Sequence, residues 1–195
     1  MSIEPNLWYE TFRRILRRSE FAEPLRDAAL AGHLRKWTQI LTKVIVETCQ
    51  ALGWSAVAKE QASNILPISR QEYLSLDITA FRVPSDRKEP RWQLPIAVFE
   101  LENRKDNNLV AYSLWKVSAI RAKLKSVFCY RYHTEEIPRL LKALANSVMS
   151  EPSIGEDTAT ILLVVGTQAK ADTFPDGFFQ PYSWDFQWRK FCNLV

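Results

Sequence analysis

Glycine is scarce, with five in 195 residues, and none falls in a GxGxxG or GxxxxGK pattern. The chain therefore offers no glycine-rich loop to cradle phosphates. Only two histidines occur, His33 and His133, in different predicted elements, which disfavours a histidine-rich zinc site. The three cysteines, Cys49, Cys129 and Cys192, are widely spaced and form no CxxC pair. That is not the framework of a small secreted domain, so free thiols in a cytoplasmic protein are expected. No serine sits in GxSxG and Cys129 falls inside an apolar strand, which disfavours acyl transfer. No window approaches the ~18 apolar residues that a membrane-spanning helix needs. The opening MSIEPNLWYETFRRILRRSE carries charges every few residues without a cleavage-site pattern, so neither export nor membrane insertion is expected.

What the chain does have is material for a core. Hydrophobic residues make up 47% of it, enough at this length for a single domain over 1–195. The net charge of +4 is mild, but its distribution is uneven. Between 103 and 131 stand Arg104, Lys105, Lys116, Arg121, Lys123, Lys125 and Arg131 against one acid, Asp106. Such an electropositive zone suits a polyanionic partner, DNA above all; the plainer alternative is a solvated helix face.

Residues 7–18 set Trp8, Phe12 and Ile15 at helical spacing beside four arginines, an amphipathic helix. A longer helix is predicted over 25–52, where Leu30, Leu34, Trp37, Leu41, Val44, Thr48 and Leu52 recur at steps of three and four until Gly53 supplies a stop. The period then shortens. SAVAKEQ (55–61), EYLSLDITAFRV (72–83) and the run over 94–102 read as three strands, the last two joined by the charged turn PSDRKEPR (84–91). The loop NRKDNN, with asparagines suited to N-capping, leads into a helix over 109–123. A strand over 126–132 and a helix over 135–149, with Pro138 in its first turn, come next. TATILLVVGT (158–167) is an apolar strand whose unbroken run implies burial on both faces. The aromatic tail, interrupted by Pro175, Gly177 and Pro181, reads as irregular chain wrapping the core. The order α, α, β, β, β, α, β, α, β favours a central sheet covered by helices.

The chemistry concentrates in PIAVFELENRK (95–105). Alternation along a strand puts Ile96, Val98, Glu100 and Glu102 on one face and Ala97, Phe99 and Leu101 on the other. Two carboxylates at the end of a buried strand are costly unless a cation or a set of donors meets them. If the second and third strands pair as a hairpin, Asp77 in LSLDITAF comes beside Glu100. Oxygen ligands of this kind suit Mg²⁺, which polarises a phosphodiester and lowers the pKa of attacking water.

These residues in this order resemble the restriction-endonuclease-like PD-(D/E)XK nuclease superfamily, whose core is αβββαβ. The matching positions are Asp77 in SLDITAF and Glu100 in FELEN, while Glu102 stands where the family usually has its Lys and Leu76 where it has Pro. The Glu-x-Glu pattern is similar to a variant found among some restriction enzymes. The resemblance covers about residues 25–132 and leaves the N-terminal helix and 133–195, with a further helix, strand and aromatic-rich tail, as additions. It implies a three-layer αβα sandwich with a mixed central sheet. It also implies Mg²⁺- (or Mn²⁺-) dependent endonuclease activity on DNA, with Asp77, Glu100 and Glu102 as metal ligands. Members without the motif Lys supply it from a shifted position, for which Lys105 and Lys116 are candidates. Lys116 is preferred, because the direction of the loop bearing Lys105 is not legible. The family's first core helix often contributes an acid near the metal, and Glu47 in KVIVETCQALGW is the candidate here. Arg104, Lys105, Tyr112, Lys116 and Lys123 are expected to contact nucleic acid, and Gln61 is a further candidate for substrate contact.

The plainer readings stay open at this level. Glu102 with Arg104 or Lys105 makes a surface ion pair worth ~0–1 kcal/mol, Asp77 caps a turn or pairs with Arg82, Lys116 is a solvated helix residue and Glu47 an ordinary exposed one. Fold does not confer activity. The alternative function is therefore a catalytically inactive nuclease-fold protein acting as a nucleic-acid-binding or complex-forming subunit. A third is an interaction protein forming a homodimer through its aromatic-rich surface.

Overall fold

The computed structural model describes residues 4–59, 61, 64–70, 72–83, 89–155 and 159–194. Most of the charged turn expected at 84–91 and the first residue of the expected strand at 158–167 lie outside the described residues. Helix α1 (Pro5–Leu16) starts on a proline, where no N–H is needed, and buries Trp8, Phe12 and Ile15. The single helix expected over 25–52 is two, α2 (Ser19–Leu30) and α3 (Leu34–Ala51). Gly32 ends α2 at a left-handed φ of +67°, with the His33 N–H on the Ala28 carbonyl at 2.9 Å and the Gly32 N–H on that of Ala29 at 3.3 Å. These are the two bonds of a Schellman ending. The hydrophobic spacing hides the corner because Leu25 and Ala28 on one side of it and Trp37 and Leu41 on the other reach the same core cluster.

Seven strands follow: β1 (Trp54–Ala58), β2 (Ile78–Arg82), β3 (Ala97–Leu101), β4 (Leu124–Arg131), β5 (Thr160–Thr167), β6 (Phe179–Asp185) and β7 (Lys190–Asn193). They lie in the sheet in sequence order. The pairs β1–β2, β2–β3, β5–β6 and β6–β7 are antiparallel, while β3–β4 and β4–β5 are parallel. The parallel connections are made by α4 (Asn107–Ser118) and α5 (Ile137–Ser147). The residue that caps α4 is Asp106, whose carboxylate accepts from the N–H groups of Asn108 and Leu109; the neighbouring asparagines do not fill that role. The series α3, β1, β2, β3, α4, β4 has the αβββαβ order implied by the resemblance.

The tail is not irregular. It supplies β6 and β7, and most of its rings turn inward: Phe174, Phe178 and Phe179 pack around Trp37, and Trp184 meets Phe191. Phe186 and Trp188 are the tail's exposed large apolar side chains.

Ala97, Phe99, Phe128, Tyr130, Leu162 and Val164 face α1, α2 and α3. On the other face Val98, Val127, Cys129, Leu163 and Val165 meet α4 and α5. The result is a three-layer αβα sandwich on a mixed sheet, and β5 is buried on both sides as its apolar run implies. Among the described residues no helix is long and apolar enough to cross a membrane. One close approach holds the carboxyl end of β5. A Cβ at Gly166 would stand 2.6 Å from Tyr130 Cδ1 and 2.8 Å from Phe178 Cε1, and the Tyr130 hydroxyl is fixed as acceptor of the Trp37 indole N–H at 2.7 Å. Gly166→Ala is expected to destabilise by about 1–3 kcal/mol, seen as a lower urea midpoint at unchanged m-value. An unchanged midpoint would mean that the Tyr130 ring yields freely.

Candidate active site

The strand expected over 72–83 begins only at Ile78. Before it the chain turns through two successive non-glycine residues in the left-handed region, Leu74 at φ 59° and Ser75 at φ 55°. Such residues cost about 1–3 kcal/mol each and cluster at functional sites. The turn delivers Asp77 at the start of β2. Because Ile78 pairs with Phe99 in the antiparallel ladder, Asp77 is set opposite Glu100 at the carboxyl end of β3.

Each carboxylate accepts a backbone N–H at or next to the other acid. The Leu101 N–H donates to Asp77 Oδ2 at 2.8 Å, and the Asp77 N–H donates to Glu100 Oε1 at 3.2 Å. Lys116 reaches in from α4, its Nζ 2.9 Å from Glu100 Oε1 and donating to the Ser75 carbonyl at 2.6 Å. The odd turn therefore also supplies the oxygen that holds the lysine. Of the expected site residues, the structure brings together Asp77, Glu100 and Lys116.

Burial raises both carboxyls above their ordinary range. For Asp77 the Leu101 N–H and the Lys116 charge oppose that effect. For Glu100 the hydrogen bond from Lys116 opposes it, and the charge of Asp77 adds to it. An acid whose pKa is raised by folding binds its proton more tightly in the native state, so stability falls as pH climbs through the window between the unfolded and folded values. Asp77→Asn is accordingly expected to raise Tm at about pH 8 and to give little or no gain at about pH 4, where the unfolded acid itself begins to be protonated. Thermal melts at the two pH values check this; a gain equal at both would contradict it.

The remaining candidates lie elsewhere. Strand β3 ends at Leu101, so Glu102 is already in the loop; its N–H donates to the Phe128 carbonyl and its Oε1 accepts from the Arg104 N–H at 2.7 Å. It caps its own turn, although its charge still bears on Asp77. Among the described residues no three His, Cys, Asp or Glu side chains converge as a metal-ligand group, so the expected trio is a pair. Lys105 donates to Gln168 Oε1 and stands over the Tyr132 ring. With the exposed Arg104 it borders a separate cavity of about 590 Å³ floored by Trp37 and Tyr130.

Glu47 is paired with Arg18 at 2.8 Å on α3, in the helical layer across the sheet from α4. Lys123 precedes β4, four residues before Val127, the partner of Glu100, hence about 13 Å away along the strand. Tyr112 lies on the outer surface of α4, stacked on Trp115 with centroids 6.0 Å apart, both exposed. Gln61 bridges back to Ala58. The groups that sequence reasoning missed are backbone ones, the Leu101 N–H and the Ser75 carbonyl, and no residue type signals them.

Asp77 and Glu100 each commit one oxygen to the contacts above. Asp77 Oδ1 and Glu100 Oε2 receive no hydrogen bond from any described residue. Two carboxylate oxygens, both on groups that burial leaves short of positive charge, fit a hard divalent cation such as Mg²⁺ or Mn²⁺.

No protein-family model and no curated protein sequence matches the chain. Among solved structures, NucC of P. aeruginosa in its cAAA-bound form is similar at 12% identity and a TM-score of 0.50, over 99% of this chain and 84% of that one. NucC of E. coli, also cAAA-bound, is 14% identical with a TM-score of 0.49 over the same shares. At this identity the likeness is one of fold alone: the mixed seven-stranded sheet of this chain lies between helical layers in an α/β arrangement similar to that of the P. aeruginosa protein.

Proposed function

We propose that the protein is a Mg²⁺- or Mn²⁺-dependent endonuclease that hydrolyses DNA phosphodiesters at Asp77, Glu100 and Lys116. One observation carries this reading: a lysine from the helix after β3 stands 2.9 Å from Glu100, beside an aspartate tied to the next residue's N–H, at the strand end where the superfamily pattern would put its acids. Asp77 and Glu100 would hold the cation, which when bound polarises the phosphate and eases deprotonation of water. The Leu101 N–H keeps the Asp77 carboxylate turned toward β3.

Lys116 stands in for the lysine that Glu102 displaces from the motif. Its ammonium is held by the Ser75 carbonyl, so it meets the negative charge that builds on the phosphate oxygens without first having to be oriented. Water oxygen bonds to phosphorus as one bridging P–O bond breaks, leaving a phosphate end and a hydroxyl end. The test is supercoiled plasmid incubated with Mg²⁺, Mn²⁺ or EDTA. Nicked and linear products are expected with either cation and none with EDTA; supercoiled plasmid persisting in every case would overturn the reading.

A further inference from the structure

A second cationic surface lies outside the basic stretch 103–131. Arg35, Lys36 and Lys43 are exposed along α3 and Lys59 is exposed just past β1; together they line an open cleft of about 610 Å³. No acid lines it among the described residues. None of the four cations has a carboxylate within 4.0 Å among the described residues, unlike Arg18, which is paired with Glu47, and Lys116, which is paired with Glu100. The rest of the lining is Thr38, Gln39, Thr42, Gln61 and a single apolar side chain, Ile40. A concave surface with four cations unpaired among the described residues, beside hydrogen-bonding neutral groups, is electrostatically complementary to a polyanion.

Two links join this cleft to the acids. Ala58, the residue before Lys59, pairs with Ile78, the residue after Asp77, in the antiparallel ladder, and Lys59 stands in the turn that brings Gln61 back to Ala58. Asn103, two residues beyond Leu101, donates from Nδ2 to Thr38 Oγ1 on the cleft wall at 2.8 Å. From Arg35 to Lys43 the helix advances about 12 Å, the axial reach of about three phosphates at ~3.4 Å per strand step. The amides and hydroxyls are of the kind that contact phosphate and sugar.

We propose that this cleft is the track along which a nucleic-acid backbone lies, leading one phosphodiester to Asp77 and Glu100. Delivery to the acids rests on the nuclease reading; binding along the track does not. The test is fluorescence anisotropy of labelled duplex DNA, single-stranded DNA and duplex RNA in EDTA across a salt series. It uses wild type, the track variant Arg35→Gln/Lys36→Gln/Lys43→Gln/Lys59→Gln, and a control with the same charge change, Arg14→Gln/Arg26→Gln/Lys142→Gln/Lys170→Gln. All eight side chains are exposed, so both variants are expected to fold.

The track variant is expected to lose roughly a hundredfold or more in affinity at low salt, with a slope of log K against log salt shallower by roughly three to four, while the control stays near wild type. A track variant that binds like the control overturns the proposal. Weakening on duplex DNA alone assigns the track to DNA, and equal weakening on all three probes assigns it to the phosphodiester backbone as such. Hydrolysis of bis(4-nitrophenyl) phosphate, too small to reach α3, separates the two readings. A wild type that cleaves neither it nor plasmid refutes the nuclease and leaves the binding result standing.

Discussion

Glu100→Ala is expected to lower plasmid cleavage by about 10³-fold or more, the loss that follows when a group supporting transition-state charge is removed from a metal-assisted reaction. The expectation is this large because Glu100 has three roles at once. It accepts from the Asp77 N–H, it pairs with Lys116, and under the proposed function it would contribute one of the two oxygens left for a cation. Its companion Glu100→Gln keeps the shape of the side chain while removing the charge, and it is expected to be nearly as inactive and to melt no lower than wild type, since burial disfavours the charge it removes. A folded Glu100→Ala protein with activity within about tenfold of wild type would sink the assignment of the site.

Lys116→Ala is the second large effect, a loss of about 10²–10³-fold in kcat, the range measured when a single preorganised donor to developing charge is deleted. It differs from the first in its structural cost. The Lys116 side chain is 22% exposed and that of Glu100 9%. Removing the lysine leaves a mostly buried carboxylate without its partner, which destabilises by about 1–3 kcal/mol once partial solvent screening is allowed for. Urea melts would register that loss, and assays well below the melting range would isolate the catalytic one. Lys105→Ala is the comparison, because Lys105 is engaged with Gln168 and Tyr132 and is expected to leave the rate near wild type. If Lys105→Ala were the inactive protein and Lys116→Ala the active one, the lysine would have to be reassigned.

Much of this site could be read before any coordinates. Alternation alone places Glu100 on the face opposite Phe99, and the proline-bearing turn between two strands is enough to bring Asp77 near it. The preference for Lys116 over Lys105 follows from a helix projecting its residues at known spacing, whereas a loop does not. Glu102 is harder, because its orientation depends on where β3 stops, and the bond from the Arg104 N–H that turns it away is a purely local loop contact. The break at Gly32 is masked by a hydrophobic period that both helices satisfy. The strands β6 and β7 are masked by Pro181 and Gly177, ordinarily breakers of strands. Pro181 nonetheless pairs with Val164, and its carbonyl accepts from Leu194, so long-range pairing overrides the local signal. The four cations of the proposed track come from α3 and from the turn just past β1, and no linear stretch of the chain is dense enough in charge to reveal them.

The bond from the Leu101 N–H to Asp77 Oδ2 also makes the site observable without substrate. This amide proton rests on a carboxylate and not on a strand carbonyl, so its chemical shift and its exchange with solvent follow whatever charge that carboxylate carries. A single backbone resonance thus reports the electrostatic state of the whole acid pair, and it does so in a protein that need not turn over.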